Sequence, residues 1–326
     1  MITFSAESFD GTWNLAWEEA LLTLRSESVF LLWRNGPTVV IGRNQNAWEE
    51  VHWPTMEKYA IPIVRRISGG GAVYHDLGNL NFSYLLNAPL GEIDTASLTL
   101  PIILYLRKIG VDAEPSGRND ITVQGKKISG CALHKQHGRL LFHGTILFQT
   151  NLERLAEVLN ISDLKYSSSA IPSVRSRVGN VAEFLPSDKS LEEFQEELLD
   201  FMKEKESIHE EQLTPQERQR IKLMQKEKYR QHDWNYGVSR PFQKKFVKKY
   251  PWGILDIRFD VDREIIRDAS IYGDFMAQDD TQQIREKLIG LHLTRDVIKT
   301  HLPESVIRSV FPDLSQEQFL GQCELS

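Results

Sequence analysis

What most constrains the fold of this 326-residue chain is a succession of short apolar runs, each fenced by glycine, proline or asparagine. VFLLW, PTVVIG and IPIVRRI are β-branched or apolar and too brief for helices, so they read as strands. Helical stretches lie between such runs. From Trp13 to Leu24 the spacing of Leu15, Ala16, Glu19, Leu22 and Thr23 allows one apolar face. TASLTLPIILYLRKIG reads as a helix beginning near Thr99 and Pro101 and ending at Gly110, with Ile102, Ile103, Leu106 and Ile109 on one stripe. Helix and strand are therefore intermixed. Hairpin signals outnumber long crossovers, which favours a mixed sheet over a doubly wound parallel one.

The texture changes after Pro186. Ser190 with Glu193, and Thr214 with Pro215 and Glu217, match capping boxes, so two charged helices are expected to carry the chain to about Trp234. SRPFQKKFVKKYPWG follows, and reads as the way into a smaller carboxy-terminal domain. There GILDIRFDVDREIIRDASIYGDF alternates like a hairpin and DDTQQIREKLIGL reads as a helix. No internal repeat or low-complexity segment is present.

Charge and composition exclude several classes. With 41% hydrophobic and 26% charged residues the chain is of ordinary globular make-up, and a formal net charge of -6 argues against a protein that coats nucleic acid. No apolar run approaches the roughly 20 residues needed to span a bilayer, and the amino terminus MITFSAESFD lacks the parts of a secretion signal, so a cytoplasmic protein with no membrane partner is expected. Cys131 and Cys323 are the only cysteines and form no CxxC pair, which leaves neither a disulfide framework nor a thiolate zinc site.

The stretch with the most chemistry is RRISGGGAVYHDLGNLNFS. Three consecutive glycines permit positive φ angles and close approach of a ligand, and exposed turn amides beside Arg65 or Arg66 make a site for a phosphate or carboxylate. The alternative is a plain flexible turn between strands. It is no Walker loop, because no Gly-Lys-Ser/Thr follows, and Tyr74 stands where the dinucleotide fingerprint needs its last glycine.

A second stretch, GRNDITVQGKKISGCAL, reads as a hairpin about Gln124 and Gly125. The simplest register pairs Val123 with Lys126, Thr122 with Lys127, Ile121 with Ile128 and Asp120 with Ser129. Lys127, Asp120, Thr122, Ser129 and Cys131 then share one face, and Lys126 lies on the other with Ile121, Val123 and Ile128. A lysine grouped with an acid and a serine suits a phosphate and a metal; a bulge would shift this register. His134, His137 and His143 are close in sequence, but a lone HxxH lacks the further ligands zinc requires, and no Ser/His/Asp constellation is evident.

RRISGGGAVYHD, GRNDITVQGKKISG, FHGTI and PSVRSRVGN, in that order over most of residues 1–185, resemble the lipoate-protein ligase family, and DASIYGDF with the following helix resembles its accessory carboxy-terminal domain. The resemblance implies an α+β fold shared with biotin ligases and class II aminoacyl-tRNA synthetases: a mixed, largely antiparallel sheet flanked by helices, with a small α/β domain after it. The implied boundaries are 1–240 for the catalytic domain and 251–326 for the accessory domain, joined by a linker at about 241–250, with a hinge over 239–251. It also implies the chemistry. Lipoate and ATP, with Mg2+, give lipoyl-AMP, and the lipoyl group passes to a lysine of an acceptor domain in an E2 subunit of a 2-oxoacid dehydrogenase or in glycine-cleavage H protein.

Carried over residue by residue, the family's site falls on Arg66, which would supply charge to ATP phosphates or the lipoyl carboxylate. Ser68, Gly69, Gly70 and Asn79 belong to the same ligand-binding stretch, and Gly71, Ala72, Val73 and Tyr74 would lie along the nucleotide. Lys127 is the implied catalytic lysine, touching both α-phosphate and acyl carbonyl. Asn119 and Asp120 would organise phosphate and Mg2+, with Asp120 the metal ligand. His75 lines the acyl pocket or is a structural histidine. Arg175 and Arg177 reach the nucleotide or pair with surface acids. Because activation makes the carboxylate an anhydride with a good leaving group, positioning and electrostatics are needed more than an enzymic nucleophile.

Two rivals stand beside this. Related octanoyl- and lipoyl-transferases carry the acyl group on a cysteine, and Cys131 shares the expected face of Lys127. A non-catalytic ligand-binding homologue is the other. QKKFVKK is either a surface that steers acidic acceptor domains or a solvated linker.

Overall fold

The computed structural model describes residues 1–88, 94–117, 119–160, 177–237 and 242–324. Its strands are, in chain order, β1 (Ile2–Phe4), β2 (Val29–Trp33), β3 (Thr38–Ile41), β4 (Ile63–Arg65), β5 (Val73–His75), β6 (Asn79–Asn87), β7 (Ala113–Ser116), β8 (Asp120–Val123), β9 (Lys126–Gln136), β10 (Arg139–Leu147), β11 (His209–Glu211), β12 (Lys244–Tyr250), β13 (Gly253–Asp262) and β14 (Ile265–Gly273). The principal sheet runs β11-β1-β2-β6-β10-β9-β8-β7. β1 is parallel to β11 and to β2, and the pairings from β2 across to β7 are antiparallel. This is the mixed, largely antiparallel sheet expected.

β2 is buried at every position because both faces of the sheet are covered. On one face Phe30 and Leu32 join Phe82, Ile102 and Phe194; on the other Leu31 and Trp33 join Trp17, Leu21 and Ile221. Helix Gly11–Leu24 supplies the second core, started by Asp10, whose carboxylate accepts the Thr12 amide at 2.8 Å. Its buried side takes in Glu18 and Glu19, whereas Thr23, expected inside, is exposed.

Helix Thr95–Lys108 starts earlier than expected, because Asp94 caps it and Pro101 sits inside it with its ring buried. Proline is a first-turn signal only when nothing upstream caps the helix. Both capping boxes form, at Ser190 with Glu193 and at Thr214 with Glu217.

The small sheet β4-β3-β5 holds the glycine turn between β4 and β5. A second small sheet, β12-β13-β14, packs with the helices from Gln282 to Gln322 around a core of its own that includes Phe259, Phe275 and Phe319. QKKFVKK is therefore not a linker but largely the edge strand β12. Its Lys244, Lys245, Lys248 and Lys249 are exposed while Tyr250 is buried, and charged side chains on an edge oppose pairing with another chain. The carboxy-terminal unit docks on the larger one. Gly273 donates its amide to the Asn44 carbonyl at 2.9 Å, Arg43 pairs with Asp280 at 2.8 Å, and Glu49 accepts from Lys245 at 3.0 Å and Arg258 at 2.7 Å. No helix among the described residues is long and apolar enough to cross a membrane.

Candidate functional site

The glycine turn is built around Arg66. Its guanidinium donates to the carbonyls of Gly69 at 2.6 Å, Gly71 at 2.8 Å and Val40 at 3.2 Å, and to Ser68 Oγ at 3.0 Å. Burial pulls its pKa down to about 10. No carboxylate pairs with it among the described residues, so the turn holds a dehydrated cation that an anionic ligand would complete. Gly70, at φ +88°, adopts a conformation that side chains resist, and a Cβ on Gly69 would stand 2.3 Å from the Phe275 carbonyl oxygen of the small domain. Arg65, the other candidate, is consumed by structure. It donates to the carbonyls of Gly42, Arg43, Gln45, Trp234 and Asn235.

The hairpin β8–β9 turns at Gln124 and Gly125 as expected, but its register changes. Thr122 faces Lys127, then Ile121 faces Ser129 and Asp120 faces Gly130, because a bulge leaves Ile128 unpaired. Lys127 Nζ stays with Asp120 at 2.8 Å. A Cβ on Gly130 would lie 2.8 Å from that amine, so Gly130 keeps the space open. Ser129 and Cys131 are both buried yet stay beside Lys127, Ser129 on the wall of the wider cavity and Cys131 between the core and the smaller cavity. Burial pushes the Cys131 thiol up to about 12, the opposite of what a nucleophilic carrier needs. The backbone of Lys127 is held from the other side, where its carbonyl accepts the Gly179 amide at 3.0 Å.

Two cavities adjoin here. The smaller one, of about 140 Å³, runs past Arg66 to Leu15, Trp33, Val40, His75 and Asn81. The wider one, of about 560 Å³, is walled by Tyr74, Asp120, Thr122, Arg177 and, from the small domain, Asp274. Gly71, Ala72, Val73, Lys127, Gly130 and Thr145 line both. Lys127 thus stands where one cavity opens into the other, half-exposed and beside the glycine turn.

A buried polar array adjoins the smaller cavity, which its His143 lines. Glu18 accepts from Ser83 Oγ at 2.6 Å and lies 2.9 Å from His143 Nδ1, and His143 Nε2 lies 2.7 Å from Ser68 Oγ. Trp33 Nε1 donates to Ser83 Oγ at 2.8 Å. A Ser–His–Glu chain therefore does exist, contrary to expectation, assembled from three distant segments. Ser68 is fully buried and lines neither cavity, so the chain positions Arg66 rather than presenting a nucleophile. The sequence signal for Glu18 was an acid embedded in the apolar run LAWEEALL.

Of the other expected residues, Asn79 is fully buried and donates to Asn81 at 2.9 Å, one step removed from the cavity that Asn81 lines. Asn119 reaches Met276 of the small domain at 3.5 Å and gives its carbonyl to the Cys131 amide at 2.8 Å. His134 and His143 lie on neighbouring strands, yet no group of three metal-ligating side chains occurs among the described residues. Arg175 lies outside the described residues.

Two mostly apolar cavities of unequal size thus meet at one lysine beside the glycine turn. Comparison makes this specific: residues 10–203 match the family described as lipoyl protein ligase A/B catalytic domain, and residues 239–321 match the bacterial lipoate protein ligase C-terminus. Lipoate-protein ligase LplJ of Bacillus subtilis is 39% identical over 313 residues, covering 94% of this chain and 95% of its own. The crystal structure of P. falciparum LipL1 in complex with lipoate matches 99% of this chain and 97% of that one, at 25% identity and a TM-score of 0.77. A lipoate-protein ligase A bound with ATP matches 73% of this chain and 99% of its own, at 30% identity and a TM-score of 0.65. The chain belongs to the lipoate-protein ligase family, and it is an enzyme of the ligase class.

Proposed function

We propose that the smaller cavity takes the acyl chain of lipoate, the wider one takes ATP, and Lys127 serves the reacting atoms at their junction. The observation that carries this reading is that Lys127 lines both cavities, alongside the glycine turn. In the first step a carboxylate oxygen of lipoate attacks the α-phosphorus. The new O–P bond forms as the α–β bridge breaks, and pyrophosphate departs. Negative charge grows on the α-phosphoryl oxygens, and the ammonium of Lys127, held by Asp120, neutralises it. In the second step a lysine amine of an acceptor domain attacks the acyl carbonyl; the C–N bond forms, the C–O bond breaks and AMP leaves. Lys127 then stabilises the carbonyl oxygen. Arg66 fixes the turn whose small residues let nucleotide and acyl chain meet.

Asp120 gives one oxygen to Lys127 and turns toward the nucleotide cavity, an arrangement that suits Mg2+, which takes one or two carboxylates together with substrate phosphates. Bound there, Mg2+ would neutralise phosphate charge. We assign the acceptors to lipoyl domains of E2 subunits and to glycine-cleavage H protein, and the reaction to the cytoplasm, where free buried thiols such as Cys131 and Cys323 persist. The Phe275 carbonyl of the small domain accepts from the Gly70 amide at 3.4 Å, over the turn, so a shift of the small domain between activation and transfer would have to break this contact. Purified protein with labelled lipoate, ATP and separate candidate acceptors is the test. Lipoate-dependent pyrophosphate release followed by transfer to one acceptor is expected, and absence of both refutes the reading.

A further inference from the structure

The far end of the smaller cavity holds a polar group that neither step uses. Thr145 faces Asn81 across β10 and β6, and Asn81 faces Trp33 across β6 and β2. Gly130 donates its amide to Thr145 Oγ1, which adds β9 to the same row. The cavity floor therefore runs from Lys127 and Gly130 across three inter-strand steps of roughly 4.8 Å each, about 14 Å in all, to Trp33. His75 stands at that end, its ring 6.1 Å from the Trp33 ring and edge-on to it. It is 3% exposed, lines the cavity, and its Nε2 has no hydrogen-bond partner.

The tautomer of His75 follows from its neighbours. Asn14 Nδ2 donates to the backbone carbonyls of Ser8 at 3.0 Å and Arg34 at 2.9 Å, which fixes that amide's orientation, and it also donates to Asn35 Oδ1 at 2.9 Å. With its oxygen so engaged, Asn35 turns Nδ2 toward His75 Nδ1, at 3.0 Å. Nδ1 must accept, and the ring proton resides on Nε2. Burial, followed by the Arg66 and His143 charges, holds the ring neutral, with a pKa near about 3. Two buried asparagines thus prepare one N–H donor at the end of the cavity, between Trp33 and Asn81.

We propose that His75 is a specificity residue that reads the far end of the acyl chain, its Nε2–H donating to a ring sulfur of lipoate, so that the cavity favours a dithiolane-tipped acid over a saturated fatty acid of equal length. This deepens the ligase reading above and rests on it. Sulfur is a weak acceptor, and a methyl terminus is none, so octanoate leaves the donor unpaired in a dry site. Discrimination of about threefold to tenfold in kcat/KM is expected from one such bond.

The test uses the full-length protein and pyrophosphate release, with lipoate and with octanoate. His75→Phe removes the donor, and the lipoate-to-octanoate ratio should collapse toward unity, mainly through a higher KM for lipoate. His75→Gln retains an N–H at similar reach and should restore part of the ratio. If both variants lose the two acids in parallel, His75 is structural and the proposal is overturned. Should neither acid release pyrophosphate in the unaltered enzyme, the ligase reading fails instead. A measurement independent of folding is the nitrogen and proton resonance of His75 in histidine-labelled enzyme. The proton should be on Nε2, and its signal should move with lipoate and stay with octanoate; a proton on Nδ1, or equal responses to the two acids, overturns the assignment.

Discussion

The glycine turn and the β8–β9 hairpin both place a cation at the site, and they do so in opposite ways. Arg66 is sunk beneath the turn, spending its guanidinium on backbone carbonyls and Ser68, and it cannot move without undoing β4–β5. Lys127 is half-exposed, has one carboxylate partner, and sits over an open space kept by Gly130. The difference separates shape from chemistry. In the proposed reaction the fixed cation would define where ligands lie, and the less encumbered one would follow charge that appears first on phosphorus and later on the carbonyl.

The sharpest way to break this comparison is Lys127→Ala. Its adenylation rate, read as pyrophosphate release, should fall by about two to three orders of magnitude, with the melting temperature almost unchanged. Arg66→Met should reverse that pattern. It leaves the Gly69, Gly71 and Val40 carbonyls unpaired, so unfolding free energy should drop by about 2–4 kcal/mol. Equal stability losses for the two variants would erase the distinction. Gly70→Ala tests the turn's backbone alone. Forcing a Cβ into φ +88°, 2.9 Å from an Arg66 nitrogen, should cost on the order of 1–2 kcal/mol in thermal unfolding.

Acid sensitivity should come from both regions, through His75 on β5 and His134 on β9. Burial holds His75 near about 3 and His134 near about 4, whereas the unfolded chain titrates near about 6.5. Below that unfolded value the unfolded state takes up protons that the folded state refuses. Stability should therefore be intact above about 6.5 and decline as pH falls toward the folded values. A His75→Gln, His134→Gln double variant should flatten this decline in pH-dependent melting curves, and Lys127→Ala should leave it as it is. The smallest effect is expected from Cys131→Ser, within about twofold in rate, because burial between the core and the smaller cavity keeps the thiol protonated. A trapped acyl thioester in mass spectra would contradict its placement.

Local pattern carried much of this molecule. The strands VFLLW and PTVVIG, both capping boxes, the Gln124–Gly125 turn and the β13–β14 hairpin depend on neighbours within a few residues, and all appear. The bulge at Ile128 did not show, because choosing which of two adjacent side chains enters the core depends on the strand beyond. That single choice set Gly130 opposite Asp120 and left open the space that Lys127 fills. The Glu18–His143–Ser68 array was equally hidden, since its members come from a helix, β10 and the glycine turn.

By itself, then, the sequence determined the elements, the family resemblance and the candidate lysine, all of them matters of spacing and residue type. Tertiary structure alone decided which faces meet. It set Lys127 at the junction of two cavities, sank Arg66 under the turn, made QKKFVKK an edge strand and oriented the His75 proton. Those outcomes depend on burial and on hydrogen-bond partners from distant segments, which no local window contains.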